Sequence, residues 1–314
     1  MGAGPLIAII HHNRPDLTDL AVYSLRAHTP APYRLLLIDN ASGDDLACLA
    51  PDELAVNQRP RQFAHNCNLA LERAGGARVV LLNNDVFLPS GWLEGLLGGL
   101  DLGHGVVGGV SNFELPLDLE LAGERVRLGA QGDRKDVHGR WEELAGVLGA
   151  YNRAGAGRPP LLKNSVSFYA VAISRAAQRQ VGRLDQRFVH GYEDLDYCLR
   201  TWLAGLSVAA APNAFVVHFG GRSTPGAGPE ELAYRDRHNL AWLRERYPLP
   251  LRRKLARIWS GHGLGEEGRL LWSRIDRRWE WLRSREGSLP TAPAPARRPA
   301  MTIIPGGVAG ALPI

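Results

Sequence analysis

Two kinds of apolar pattern alternate along the first 250 positions of the chain. The first is a short, almost wholly apolar run, found at residues 6–10, 35–38 and 79–82. The second spaces apolar residues at helical intervals, as in residues 16–27, 66–74 and 92–100. Short buried strands that alternate with helices are typical of an α/β fold. The pattern therefore predicts a central, mostly parallel sheet flanked by helices on both faces.

Polar residues follow each of the three apolar runs. They are residues 11–14, 39–43 and 83–85. Open α/β sheets bind ligands along the edge where their parallel strands end, so we expect a binding site at that edge. No Gly-x-Gly-x-x-Gly or P-loop sequence follows any of these runs, which argues against a nicotinamide dehydrogenase and against a P-loop ATPase.

The second half of this region begins with a long insertion. Residues 115–160 are rich in Gly, Arg and Glu and have weak periodicity apart from residues 141–148, and such an insertion is usually a lid or a binding loop. Further elements are predicted beyond it, at residues 165–173 (strand), 194–203 (helix), 208–217 (strand, interrupted at Pro212) and 230–246 (helix).

Composition and charge narrow the class of protein. The chain has 314 residues, of which 45% are hydrophobic, as in globular proteins. No apolar run approaches the length of about eighteen residues that a membrane-spanning helix needs. The net charge of +5 is uneven, because residues 251–314 carry +7 and residues 1–250 carry −2. The body of the chain is therefore not a basic nucleic-acid binder.

The positive charge marks a separate C-terminal region. Residues 251–286 hold four of the eight tryptophans and predict a basic helical extension, with an amphipathic helix at residues 269–285. Such a helix packs on the main domain or on a second subunit of a homodimer, or it lies on an anionic membrane surface. Residues 287–314 are rich in Pro, Ala and Gly and predict a disordered tail. The predicted division is thus 1–250, 251–286 and 287–314.

The cysteines and the N-terminus bear on the compartment. Cys48, Cys67 and Cys198 are far apart and lack metal-ligand spacing, so we interpret them as reduced thiols. The first residues do not resemble a secretory signal. Both observations predict a cytoplasmic protein, with peripheral contact at the inner face of the membrane if the C-terminal extension binds lipid.

Candidate chemistry is carried by acidic residues and one histidine. Asp39 and Asp85 each follow an apolar run, where an Asp is otherwise often a turn or helix cap. Glu193 and Asp194 open a predicted helix, where acids also complement the helix dipole. His218 ends an apolar run, where a polar residue is common. Each feature alone is compatible with a structural role.

In their order along the chain, these features closely resemble family 2 glycosyltransferases of the GT-A fold, over roughly residues 5–245. The matching segments are residues 12–14 (His-Asn-Arg), 39–42 (Asp-Asn-Ala-Ser), 63–68 (Phe-Ala-His-Asn-Cys-Asn), 83–85 (Asn-Asn-Asp), 193–200 (Glu-Asp-Leu-Asp-Tyr-Cys-Leu-Arg) and 218–223 (His-Phe-Gly-Gly-Arg-Ser). The resemblance implies inverting transfer of a sugar from a UDP- or dTDP-linked donor. The implied acceptor is a hydroxyl of a saccharide, glycolipid or natural product, as in polysaccharide biosynthesis.

The resemblance also implies a role for individual residues. Asp85 and His218 would hold Mg²⁺ or Mn²⁺, which neutralises the charge of the departing nucleoside diphosphate. Asp194 would be the base that activates the acceptor hydroxyl, with Glu193 as its neighbour. The residues implied at the nucleotide sugar are His11, Asn13, Arg14, Asp39, Asn40, Arg61, Phe63, Asn66, Asn84, Asp85, Arg222 and Ser223. Those implied at the acceptor are Ser167, Tyr169 and Trp202.

Three residues depart from the family pattern. Asn83 stands where a carboxylate is frequent, which weakens metal affinity or marks the rhamnosyltransferase-like branch. His12 replaces a Tyr and Gln62 replaces a Gly, and both bear on the identity of the donor. An alternative function is that of a catalytically silent partner that binds nucleotide sugar in a glycan assembly complex. A third, a nucleotidyltransferase, needs a Gly-rich basic loop that residues 2–14 do not provide.

Overall fold

The computed structural model describes residues 4–121, 123–129, 139–220 and 228–284. The strands are β1 (Leu6–His11), β2 (Arg34–Asp39), β3 (Glu53–Val56), β4 (Val79–Asn83), β5 (Val86–Phe87), β6 (Val106–Ser111), β7 (Leu117–Leu121), β8 (Glu124–Leu128), β9 (Leu161–Leu162), β10 (Ala170–Ile173) and β11 (Val208–His218). The helices are α1 (Pro15–His28), α2 (Phe63–Arg73), α3 (Trp92–Asp101), α4 (Trp141–Ala154), α5 (Arg175–Gln180), α6 (Glu193–Leu203), α7 (Pro229–Arg246), α8 (Leu249–Gly261) and α9 (Gly265–Arg283). The predicted tail at 287–314 lies outside the described residues.

Within the described residues, nine strands form one central sheet. Its order is β3-β2-β1-β4-β10-β6-β11-β5, with β9 paired to β11. Strand β1 runs parallel to β2 and β4, β2 is parallel to β3, and β6 is parallel to β11. Strand β10 is antiparallel to both of its neighbours, β4 and β6. The predicted α/β fold, a mostly parallel sheet flanked by helices, is confirmed.

The carboxyl ends of β1, β2 and β4 meet at one edge of the sheet, as the polar residues after each run predicted. His11 lies opposite Asp39, and Ile10 lies opposite Asn83. All six residues of β1 are buried, because α1 and α3 cover one face of the sheet while α2 and α6 cover the other. A strand covered on both faces is apolar throughout, which explains why the runs do not alternate.

The insertion at residues 115–160 is more ordered than its weak periodicity indicated. Strands β7 and β8 form an antiparallel hairpin, and helix α4 follows. Leu119 and Leu121 alternate with charged residues along β7 and pack with Phe215 of β11 in a small separate core. The predicted strand at residues 165–173 is also corrected, because only β10 is extended and the chain before it is a loop.

The C-terminal helices cover the face of the sheet that α2 and α6 also cover. Trp259 of α8 and Trp272 of α9 belong to the same hydrophobic cluster as β1. The two helices approach so closely that a Cβ at Gly268 would overlap the Trp259 ring. The extension thus packs on the main domain, and the helix predicted at residues 269–285 begins earlier, at Gly265. No helix in the described part of the chain is both long enough and apolar enough to cross a membrane.

Asp196 connects α6 to these C-terminal helices. Its buried carboxylate accepts hydrogen bonds from Arg200 Nε at 2.8 Å and from the Tyr247 hydroxyl at 2.7 Å. Arg246 Nε, at the end of α7, lies 2.6 Å from Asp196 Oδ1. The third acid of the 193–200 segment is therefore a structural anchor.

Candidate functional site

A cleft of about 310 Å³ opens at the edge where β1 and β4 end, as the strand pattern predicted. Ten of the predicted site residues line it. From the nucleotide-sugar set these are Asn40, Arg61, Phe63, Asn66 and Asn84, and from the other sets they are Ser167, Tyr169, Glu193, Asp194 and His218. Residues far apart in the sequence thus share one cavity.

Two acids in the first turn of α6 line the cleft. The loop before them has an unusual backbone, with positive φ at His190 (45°), Gly191 (136°) and Tyr192 (70°). Buried Asn239 of α7 holds this loop, because it accepts a hydrogen bond from Val189 N and donates to the carbonyls of Val189 and Gly191. The loop in turn donates from Gly191 N to Glu193 Oε2 at 2.7 Å.

Burial changes the acidity of this pair. Burial, and then the charge of Asp194, raises the pKa of Glu193 to about 7, and Glu193 is 5% exposed. Burial also raises the pKa of Asp194, which is partly buried and lines the cleft. The backbone N–H of Leu195 donates to Asp194 Oδ1 at 2.7 Å. Neighbouring carboxylates with raised pKa values can take up a proton near neutral pH, which suits a general base.

Asp85 and His218 come together through the antiparallel pairing of β5 with β11. Val86 lies opposite His218 in that pairing, so Asp85 is beside it. His218 Nε2 lies 3.2 Å from Asp85 Oδ1, and the His218 ring stacks on Tyr169 with centroids 4.8 Å apart. Asp85 is 2% exposed and does not itself line the cleft, whereas His218 does.

These two side chains fit a divalent cation. Asp85 Oδ1 is buried without a well-formed hydrogen bond, although His218 Nε2 is close to it. Two neighbouring ligands of an octahedral ion with bonds of about 2.1 Å lie about 3 Å apart, which matches this spacing. Among the residues that the structure describes, no cluster of three or more His, Cys, Asp or Glu could hold a metal. A cation bound here would therefore need ligands from a substrate or water as well.

The side of the cleft that is predicted to hold the nucleotide, here called the nucleotide side, is a network of amides. Asn40 Oδ1 accepts hydrogen bonds from Arg61 N at 2.8 Å and from Asn57 Nδ2 at 3.0 Å. Asn57 Nδ2 also donates to Asn66 Oδ1 at 2.7 Å. The hydrogen bond to Oδ1 fixes the orientation of the Asn66 amide. Its Nδ2 is then buried without a hydrogen-bond partner among the described residues. Asn57 and Asn239 were not predicted as site residues. Asn57 is a polar residue just after β3 and Asn239 is a polar residue of helix α7, and neither belongs to a local motif.

Several predicted site residues lie away from the lining of the cleft. His11 is fully buried, between Thr18 Oγ1 at 2.6 Å and Asp44 Oδ2 at 2.9 Å. Trp202 is also buried, and its Nε1 donates to the carbonyl of Lys163. The structure gives neither side chain a surface for direct ligand contact, which corrects their assignment to the ligand-contacting sets.

Three further residues of the nucleotide set are placed outside the lining. Asp39 accepts hydrogen bonds from the backbone and hydroxyl of Ser42, which is the turn-capping role that an Asp often has. Asn13 and Arg14 have positive φ, and Arg14 pairs with Asp16 at the start of α1. Arg222 and Ser223 lie outside the described residues.

Comparisons with known proteins agree with this picture. Residues 6–118 match the family model of "Glycosyl transferase family 2". A crystal structure of GalNAc-T7 with UDP, GalNAc and Mn²⁺ is similar to the chain, with a TM-score of 0.52 and 14% identity over 83% of this chain and 55% of that one. The mannosyltransferase PcManGT from Pyrobaculum calidifontis, in complex with GDP-Man and Mn²⁺, has a TM-score of 0.52 and 14% identity over 90% and 86%. No curated protein matches the chain in sequence.

The comparisons confirm the predicted GT-A fold and support the prediction of a glycosyltransferase. The chain spans about half of the GalNAc-T7 chain and most of the mannosyltransferase. The family match covers strands β1 to β6 and ends within β7, so it includes the nucleotide side of the cleft and not α6. The rhamnosyltransferase-like branch stays a prediction.

Proposed function

We propose that the protein is a metal-dependent, inverting glycosyltransferase that uses a UDP- or dTDP-sugar. One observation carries the proposal: the two carboxylates Glu193 and Asp194, whose pKa values burial raises, line the same cleft as His218, which lies beside Asp85. Inverting transfer needs a base for the acceptor hydroxyl and positive charge for the leaving diphosphate. Glu193 and Asp194 would supply the base, and Asp85 and His218 would hold the cation that supplies the positive charge.

The donor would lie along the amide side of the cleft. Asn66 Nδ2 is a buried donor without a partner, and Arg61 lines the same wall, so both suit the oxygen atoms of a nucleotide sugar. Asp85 and His218 would hold Mg²⁺ or Mn²⁺, which when bound neutralises the charge that develops on the diphosphate. GalNAc-T7 with UDP and the mannosyltransferase with GDP-Man, both solved with Mn²⁺, support this class of donor and metal.

The acceptor would enter from the side of the loop before β10. Ser167 and Tyr169 line the cleft there, beside Asp194. Asp194 would accept the proton of the attacking hydroxyl. Glu193 would influence the pKa of Asp194, because the charges of neighbouring carboxylates interact and the two groups titrate as a coupled pair. Direct displacement with a single base inverts the anomeric centre. A saccharide, glycolipid or natural product would supply the hydroxyl.

The test is release of nucleoside diphosphate from UDP-, dTDP- and GDP-sugars, with Mn²⁺, with Mg²⁺ and with EDTA. We expect slow metal-dependent release from one UDP- or dTDP-sugar. Asp85→Asn should abolish it, while Asp19→Asn, a matched change of an exposed acid on α1, should not. Release that continues in EDTA, or in the Asp85 variant, would overturn the metal assignment.

A second candidate is a silent nucleotide-sugar-binding partner in a glycan assembly complex. Asn83 in place of a carboxylate favours it, because the site then offers fewer charged ligands. Tight binding of a nucleotide sugar with no turnover, even with a broad panel of saccharide acceptors, would support this candidate against the enzyme. Contact of residues 251–286 with a membrane, or with a second copy of the chain, is a separate question from turnover.

A further inference from the structure

The outer side of α9 carries a stripe of four exposed side chains, which we call the α9 stripe: Leu270, Arg274, Arg277 and Trp281. Their spacing of four, three and four residues places them on one face of the helix. Leu270 is 46% exposed and Trp281 is 40% exposed. Leu, Trp and Arg are residue types that helices use at a membrane interface, and here all three lie on one exposed face.

The orientation of the stripe is fixed by the other face of α9. Trp272, Ile275 and Leu282 are buried against the main domain. Gly268 packs against the Trp259 ring of α8 with no room for a side chain. The helix therefore cannot turn to hide Leu270 and Trp281 without losing this packing.

Two arginines of the stripe, Arg274 and Arg277, form no ion pair with the residues that the structure describes. Arg278 of the same helix pairs with Asp236, and Arg252 of α8 pairs with Asp276. The stripe therefore presents two positive charges beside its apolar side chains. Arg253 and Arg257, on the outer side of α8, are also exposed and are the natural comparison.

A cavity of about 300 Å³ lies under the stripe, between α9 and the loop after β9. Its lining includes Arg274, Leu270, Leu271 and the polar residues Asn164 and Ser165. Asn164 is 6% exposed, and its Nδ2 has no hydrogen-bond partner. The acid of this lining, Glu267, is 3.6 Å from Lys163 Nζ. The cavity thus combines hydrogen-bond donors with apolar walls, as a phosphate-bearing lipid headgroup requires.

We propose that the α9 stripe docks the protein on an anionic lipid bilayer. Arg274 and Arg277 lie against headgroup phosphates, while Leu270 and Trp281 enter the interface. A second copy of the chain is the weaker occupant, because a two-fold contact through the stripe would bring its arginines against those of the partner. The loop from Asn164 continues to Ser167 and Tyr169, so the docked face adjoins the cleft.

The test is co-sedimentation of the full chain with large vesicles, either pure phosphatidylcholine or phosphatidylcholine with 30 mol% (roughly a third) phosphatidylglycerol. We expect binding to the anionic vesicles alone, weakened by salt. The double variant Arg274→Gln/Arg277→Gln should lower the partition coefficient roughly 30-fold, because each charge near the surface contributes a factor of about five. Trp281→Ser should lower the binding that remains at high salt.

The matched control is Arg253→Gln/Arg257→Gln, which removes the same charge from exposed positions on the outer side of α8. It should reduce binding far less than the α9 double variant. Equal reduction by both variants would show nonspecific attraction and would overturn the proposal. Equal binding to both kinds of vesicle would also overturn it. A chain that binds no vesicles but forms a dimer, and loses that dimer in Trp281→Ser, would overturn it in favour of a second copy of the chain. All these variants change exposed side chains, and circular dichroism verifies their fold. Vesicle binding needs no turnover, so it succeeds or fails independently of the proposed function.

Discussion

The first turn of α6 holds its acids in two opposite ways. Glu193 and Asp194 receive hydrogen bonds from backbone N–H groups and form no ion pair with any residue that the structure describes. Asp196, by contrast, lies between Arg200, Arg246 and the Tyr247 hydroxyl. Burial without a cation raises the pKa, as it does for Glu193 and Asp194, and leaves the group reactive. Asp196, which is buried between two arginines, instead holds α6 against the C-terminal helices.

The largest effect is expected from Asp194. Asp194→Asn keeps the shape of the side chain and removes its ability to accept a proton, so transfer should fall about 10²- to 10⁴-fold. The midpoint of urea unfolding should stay the same or rise, because a buried charge is removed. A variant with unchanged turnover at pH 7 would show that the base lies elsewhere.

Asp196→Asn should show the reverse behaviour. Removing this charge leaves Arg200 and Arg246 without their shared anion, so the free energy of unfolding should fall by about 3 kcal/mol. Turnover per folded molecule should change little. Urea unfolding, with donor turnover measured well below the transition, separates the two quantities. If turnover fell and stability did not, the contrast between Asp196 and the Glu193–Asp194 pair would be wrong.

A third prediction concerns pH. The pKa of Glu193 is raised in the folded protein, from 4.5 to about 7. The folded state therefore binds more protons between these values, so this group lowers stability as pH rises from about 4.5 to 7. Glu193→Gln should then stabilise the protein by roughly 3 kcal/mol at pH 8 and hardly at all at pH 4.5. Equal shifts in the unfolding free energy at both pH values would contradict the raised pKa.

The smallest effect is expected from the residue that holds the loop before α6. Asn239→Ala removes three hydrogen bonds to that loop, at a cost of about 1–2 kcal/mol in the free energy of unfolding. The pH dependence of turnover should also shift, because Gly191 N would no longer be fixed against Glu193. Asn239→Asp retains the acceptor for Val189 N but places a carboxylate oxygen against the carbonyls of Val189 and Gly191, so it should not restore the loss at neutral pH. A stability loss with an unchanged pH profile would limit Asn239 to a structural role.

The sheet and the edge where the cleft opens could be predicted from sequence because both depend on local patterns. Residues 6–10, 35–38 and 79–82 are apolar runs that end in polar residues, and parallel pairing brings those ends together. The proximity of Asp85 to His218 follows from the long-range pairing of β5 with β11, which no local pattern encodes. Asp85 and His218 could be linked beforehand only through the resemblance to family 2 glycosyltransferases.

The direction in which a side chain points also could not be predicted from the sequence. His11 and His12 are adjacent at the end of β1, yet His11 is buried beside Thr18 while His12 lines the cleft. Side chains alternate across a strand, so one of the two had to face away from the site. The sequence alone does not say which, because both faces of this sheet are covered by helices.

The antiparallel strand β10 has a consequence for how the chain could be recombined. Strands β1 to β4, with the amide wall of the cleft, come from residues before 90, whereas Ser167, Tyr169 and the first turn of α6 come after β9. The two parts pair at two places: Ala170–Ile173 pairs with residues 79–82 of β4, and β5 pairs with β11. Under the proposed function, a chimera that preserves both pairings would exchange acceptor preference between relatives while keeping the nucleotide specificity of the first part.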